Sequence, residues 1–169
     1  SIFTLLFYFN QYSFSQELCP PSFIDVFGGD QENIVSWGEP VGNIGCGDYA
    51  INELPYTHQG NNTGTGNDWP VSGSEGEDVA YTLNVGETAT FDIFICGQET
   101  NYDTKLEIFT NNQDCNAPTS TGNYNDDGQV CSDWDNSQET GTPYTPSELY
   151  GVTLQPGQYY IVVDGYGGD

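Results

Sequence analysis

Between residues 78 and 110 the apolar side chains recur at every second position. Val79, Tyr81, Leu83 and Val85 alternate with Ala80, Thr82 and Asn84. After the turn at Gly86-Glu87, Ala89, Phe91, Ile93 and Ile95 alternate with Thr90, Asp92 and Phe94. Successive side chains of an extended chain point to opposite faces, so this period specifies strands with one buried face. The pattern predicts a β-hairpin over 79–95. Leu106 and Ile108 continue the period in a further strand. Val152-Thr153-Leu154, the turn Gln155-Pro156-Gly157-Gln158 and the run Tyr159–Val163 predict a final hairpin, with Pro-Gly suited to a type II turn. No segment sustains a helical period, and no internal repeat is evident. The expected class is all-β and turn-rich, in agreement with 21 glycines.

The charge is as one-sided as the pattern. One Lys or Arg stands against 25 Asp and Glu, a net charge of -24. Such a chain lacks the cations that would neutralise nucleic-acid phosphates or dock on anionic lipid. Hydrophobic residues make up 36%, too few for a bundle of membrane spans, and aromatics 14%, too many for a disordered acidic tail. At 169 residues the expectation is one domain large enough to bury its own core.

Residues 1–16 are a different material, because every acidic residue lies after position 16. Ile2-Phe3-Thr4-Leu5-Leu6-Phe7-Tyr8-Phe9 is an apolar run of signal-peptide length, followed by Ser13-Phe14-Ser15 in the arrangement of a cleavage site before Gln16. Residues 1–15 are therefore expected to be the remnant of a signal peptide, upstream basic residues and Met being missing. The same run would also serve as a buried first strand; it is too short to span a bilayer. Export suits a chain with five cysteines, since disulfides persist outside the cytoplasm.

Residues 16–45 form an N-terminal section of strands and linker. Cys19-Pro20-Pro21, a Gly-Asp turn, Val35-Ser36-Trp37 and Pro40 resemble the opening strands of a fibronectin type III module. Residues 57–77 read as a loop, and 111–148 as a long polar stretch with one short strand near Thr121–Tyr124. Four later stretches, Glu77–Leu83, Tyr102–Phe109, Asn125–Gly128 and Leu154–Val163, resemble in order and spacing the bacterial pre-peptidase C-terminal domain. The resemblance covers roughly residues 75–169 and is related to the collagen-binding domains of secreted collagenases. It implies that residues 46–169 form an antiparallel β-sandwich of jelly-roll type. It also implies that the last strand would follow Asp169, so that the sandwich is truncated there. The family is non-catalytic, and some members bind calcium or extracellular polymers.

Asn123, Asn125, Asp127 and Gly128 fall at positions one, three, five and six of a calcium-loop pattern, where several oxygens converge and glycine permits the bend. Asp126 and Asp133 add carboxylates. Trp134 occupies the twelfth position, so the loop is not an EF-hand. Asp78 is carried over from the resemblance, because calcium in the collagen-binding relatives sits where linker meets sandwich. The plainer alternative for these residues is a solvated acidic loop and a strand cap. Asp103, at the opening of its strand, reads as structural. Calcium is the expected cofactor.

Five cysteines leave one over. Cys115 with Cys131, and then Cys19 with Cys46, are the expected disulfides, leaving Cys96, which could instead replace Cys115 or Cys19. Each closed loop would contribute about 3 kcal/mol. His58, the one histidine, lies in what reads as a polar loop and supports neither a zinc site nor a catalytic triad. Carboxylates for a glycosidase are so abundant that their presence selects nothing. Trp134, Tyr144 and Tyr166 lie in loops or at strand ends, where aromatic faces bind sugars or peptides. The expected function is a secreted or cell-surface module, not an enzyme, that binds or spaces on extracellular polymer, protein or polysaccharide, or partners other domains of the same exported protein. The alternatives are a structural or maturation appendage of a secreted peptidase and a small carboxylate hydrolase.

Overall fold

The computed structural model of the chain describes residues 2–9, 24–28, 33–37, 46–97, 100–110, 117–129 and 145–167. Every regular element among them is a strand: β1 (Ile2–Phe9), β2 (Ile24–Gly28), β3 (Asn33–Trp37), β4 (Tyr49–Ile51), β5 (Tyr56–Asn61), β6 (Val79–Val85), β7 (Ala89–Phe94), β8 (Thr104–Thr110), β9 (Thr119–Asn125), β10 (Glu148–Leu154) and β11 (Gly157–Gly165). The all-β expectation holds. No helix among the described residues is long and apolar enough to cross a membrane.

The strands form a four-stranded sheet of order β10-β7-β1-β5, a five-stranded sheet of order β4-β6-β11-β8-β9, and the separate β2–β3 hairpin. The two larger sheets share one core. Leu5, Phe91, Ile93, Val152 and Leu154 from the four-stranded sheet meet Val79, Tyr81, Leu83, Leu106, Ile108, Ile161 and Val163 from the five-stranded one in a single cluster. The arrangement is sandwich-like, and each such aliphatic or Phe side chain stabilises it by about 1.5–3 kcal/mol when fully buried. All pairs are antiparallel except β4, which runs parallel to β6.

The predicted strands exist, but the predicted hairpins do not. β6 and β7 sit in different sheets, as do β10 and β11. Gly86–Thr88 and the Pro156 turn are therefore arches between sheets. Alternation reports which face of a strand is buried and says nothing about which strand lies beside it, and short connections suit either arrangement. β11 instead pairs with β6, from Gly157↔Val85 to Val163↔Val79, and with β8, from Tyr159↔Thr110 to Gly165↔Thr104.

Two further differences concern segments with weak patterns. The expected loop 57–77 opens with β5, whose residues Tyr56-Thr57-His58-Gln59-Gly60-Asn61 are polar and fully bury only Gly60. An edge strand with so little core face shows no apolar period. The apolar run 2–9 forms β1, paired with β5 from Ile2↔Asn61 to Phe7↔Tyr56 and with β7 from Leu6↔Phe94 to Phe9↔Phe91. It thus belongs to the same sheet as strands of the 46–169 section, where the division at residue 15 set it apart. An uncharged apolar run serves either role.

The central strands β6, β11 and β8 of the five-stranded sheet are buried on both faces. Ala80, Phe109, Tyr160 and Val162 point away from the main core and pack with Trp69 and Val71 in a second cluster. Residues 62–77 cross this outer face as a strap and bring those two side chains with them. This is why β6 and β8 are buried almost throughout.

Candidate functional site

The strap is held down by charged side chains of the sheet beneath it. Asp78 Oδ2 accepts from the backbone N–H of Asp68 and of Trp69, both at 2.8 Å. Glu107 Oε2 accepts from Ser72 N–H at 3.0 Å. Lys105 Nζ donates to the carbonyls of Ser72 and Gly73 at 3.1 and 3.0 Å. The Ser74 hydroxyl lies 2.7 Å from Asp164 Oδ1 and 2.5 Å from the Gly165 carbonyl. Lys105 and Asp164 are directly opposed across the β8–β11 ladder, so their side chains share the outer face. Backbone polar groups of a loop lying on a sheet need partners there, and these side chains supply them.

Lys105 is the only lysine or arginine in the chain, and it is buried. Besides the strap carbonyls it meets Asp126 Oδ2 at 3.4 Å, and Nζ lies 4.9 Å from the ring centre of Tyr166 and 5.9 Å from that of Tyr124. Burial would lower its pKa, but the hydrogen bond to Tyr124 and the Asp126 charge outweigh it and hold the ammonium above its ordinary value. Asp78 and Asp164 shift the other way from ordinary carboxylates. Burial pushes Asp78 up to about 6 against its two backbone hydrogen bonds, with the Asp164 charge adding to the rise. Burial also pushes Asp164 up to about 6, against the Ser74 hydroxyl, the Gly165 N–H and the Lys105 charge. Asp164 is fully buried, and its Oδ2 has no hydrogen-bond partner.

Beside the strap lies a cleft of about 700 Å³, lined by Asn67, Asp68, Trp69, Pro70, Ser74 and Pro118 together with Cys46. Trp69 borders it but is itself buried, packed against Phe109 and Tyr160 with ring centroids 5.5 and 5.1 Å away. Asn67, Asp68 and Pro70 are exposed. Tyr166, expected as a binding aromatic, is 54% exposed, forms an isolated bridge with Ser74, and donates its N–H to the Asp103 carbonyl at 2.9 Å. It therefore stands next to a residue of the cleft. The other two expected binding aromatics, Trp134 and Tyr144, lie outside the described residues, as does Asp133.

The expected calcium residues fall into two places. Asn123, Asn125, Asp126 and Asp127 follow one another through the end of β9 and the turn after it, with their side chains bonded to different partners, while Asp78 lies under the strap. Asn123 Nδ2 donates to Thr121 Oγ1 at 2.9 Å. Asn125 Oδ1 accepts from Glu148 N–H at 2.9 Å, and its Nδ2 donates to the Asp127 carbonyl at 3.3 Å. Asp127 Oδ1 accepts from the Thr145 hydroxyl at 2.7 Å. Ser147 Oγ lies 3.0 and 3.1 Å from the carbonyls of Asn125 and Asp126. These groups close the 123–129 turn onto the start of β10. Gly128 is required there, since a Cβ would strike the Pro146 carbonyl oxygen. Among the described residues no group of three or more His, Cys, Asp or Glu side chains is placed to hold a metal ion.

Cys46 and Cys96 are both disulfide-bonded. Cys96, the cysteine left over in the expected pairing, is thus one of the bonded ones. Cys19, Cys115 and Cys131 lie outside the described residues, and the expected pairings with them. His58, expected in a loop, sits on β5 instead. Its Nδ1 is 2.9 Å from the Tyr81 hydroxyl, and its ring centre is 4.5 Å from that of Tyr49. Burial lowers its pKa, so it is neutral at pH 7.

Sequence reasoning missed Lys105, Glu107 and Asp164 as a constellation. The available signal was a lone cation inside an alternating strand of a strongly acidic chain. No known protein family, curated protein or solved structure matches this chain.

Proposed function

We propose that the chain is a non-catalytic extracellular module of pre-peptidase C-terminal type that binds extracellular polymer through the cleft at the strap. The observation that carries this reading is the cleft itself: the exposed Asn67 and Asp68 offer hydrogen-bonding groups along its lining, and the exposed Tyr166 stands beside Ser74 at its edge. Polar side chains beside an exposed aromatic ring suit a sugar ring or an extended peptide, whose own faces are part apolar and part polar. Export and a sandwich of jelly-roll type belong to the same proposal, supported by the residue pattern of 1–16 and by the strand order. A calcium ion at Asn123, Asn125, Asp126 and Asp127 belongs to it as well, supported by the sequence spacing of these residues in one turn. Affinity electrophoresis in gels containing soluble polysaccharides, with a parallel retention assay on collagen, tests the reading. Retardation by one polymer that is lost in Asp68→Ala and Tyr166→Ala is the expected result. Mobility unaffected by every polymer, or retardation equal in wild type and both variants, would refute it.

A further inference from the structure

The most exposed consequence of the topology is the place of β1. It lies inside the four-stranded sheet, antiparallel to β5 on one side and to β7 on the other. β5 has no other neighbour in its ladder. Without β1, the facing edges of β5 and β7 would present two rows of unpaired backbone donors and acceptors separated by one strand's width. Leu5 fills the core at that place with 0% exposure. The residues that close this slot are the same ones whose pattern marks a signal peptide cut before Gln16. Cleavage there would remove the strand and leave the slot.

We propose that the slot between β5 and β7 is a strand-acceptor site, occupied in the processed chain by an extended, uncharged apolar segment of another polypeptide. This inference rests on the export reading given above. The chemistry of the occupant follows from β1 and from the charge of its surroundings. All 25 acidic residues lie after position 16 and none in the segment that fills the slot, and of the two bordering strands β7 carries one of them, Asp92. A donor strand rich in carboxylates would meet like charge on entering, whereas an uncharged one would not. The donor must run antiparallel to both β5 and β7 and place an apolar side chain at the level of Leu5, opposite His58. Backbone pairing on both sides supplies affinity, and the buried apolar position supplies selection.

The test uses the full chain with a protease site introduced between Asn10 and Ser15, cut after folding so that β1 stays in place without a covalent tether. A fluorescent peptide of residues 1–10 serves as the probe, and the same peptide carrying Leu5→Asp as its control. The expected results are exchange of β1 for the labelled peptide and a melting temperature that rises with peptide concentration by mass action. Binding of the control should be weaker by roughly tenfold or more, because it places an unpaired charge in the core. A cross-linker on peptide position 4 should reach Gln59, its register partner. Failure of the cut protein to take up peptide, or an unchanged melting temperature after β1 is washed away, would overturn the proposal. Leu5→Ala in the uncut chain guards against loss of fold at nicking: no loss of stability there would also count against a slot that needs filling. Processing before Gln16 is followed separately by N-terminal sequencing of secreted product, so a failed export reading is distinguishable from a failed slot.

Discussion

Protonating Asp78 and Asp164 should stabilise the folded chain by relieving the cost of burying their charges. Both carboxyls are raised from an ordinary 3.8 to about 6 in the folded chain. The folded state therefore binds more protons than the unfolded one between these values, and stability rises as pH falls through that window. The contribution is fully present below about pH 4 and is lost as pH rises through about 6. At about 1.4 kcal/mol per pH unit the shift corresponds to at most about 3 kcal/mol per carboxyl, and some water access reduces this to about 1.5–3 kcal/mol. The Asp164 charge adds to the rise at Asp78. Urea denaturation followed by tryptophan fluorescence, run in steps from about pH 4.5 to about pH 7.5, reads the effect. Trp69 is packed under the strap and reports on it directly. General self-repulsion of a chain with net charge -24 predicts a slope of the same sign, but salt screens that term and leaves the buried one. In Asp164→Asn about half of the salt-resistant slope should vanish. Stability that increases from pH 5 to pH 7, or a slope abolished by salt and untouched by Asp164→Asn, would refute the reasoning.

Lys105→Met should destabilise the fold by about 2–4 kcal/mol, because two strap carbonyls lose their donor and Asp126 its partner; thermal denaturation at fixed pH checks it. Gly76→Ala should cost about 1–3 kcal/mol, since a Cβ there would lie 2.6 Å from Asp164 Oδ1 and 2.7 Å from the Gly165 carbonyl, and chemical denaturation would show it. Calcium should raise the melting temperature more than sodium chloride of matched ionic strength, and less so in Asp127→Ala; equal shifts for both salts would remove the ion from the 123–127 turn.

How much of this could be read from the sequence depends on what each residue's neighbours in the chain reveal. β6, β7, β8, β10 and β11 announce themselves because their core-facing residues alternate, and the short strand expected near Thr121–Tyr124 is β9. Their partners do not, because pairing between Val163 and Val79 is decided by contacts 84 positions apart. β5 was illegible for a different reason: its polar residues pair along an edge, and only Gly60 is fully buried. The candidate site divides in the same way. Asn123, Asn125, Asp126 and Asp127 are close in sequence, so their place in one turn was foreseeable, whereas the separate partners that their side chains take were not. The strap constellation gathers Asp78, Lys105, Glu107 and Asp164 from three strands or their ends, and nothing local marks them. Asp78 was singled out as a metal residue, and the structure commits one of its oxygens to the strap's N–H groups.

The burial of Lys105 also decides how this protein can be handled. It is the chain's one lysine or arginine and is 2% exposed, so no side-chain amine is available to solvent in the folded state. Reagents that acylate or reductively alkylate amines will therefore leave Lys105 unlabelled while the fold is intact, and its labelling will report opening of the strap. Amine-directed cross-linkers will be silent on self-association, and only carboxyl- or tyrosine-directed ones will be informative. Trypsin has a single site, shielded beneath the strap, so tryptic resistance will reflect the lack of targets as much as the solidity of the fold. Assigning the partners of Cys46 and Cys96 will need a protease that cuts at acidic or aromatic residues.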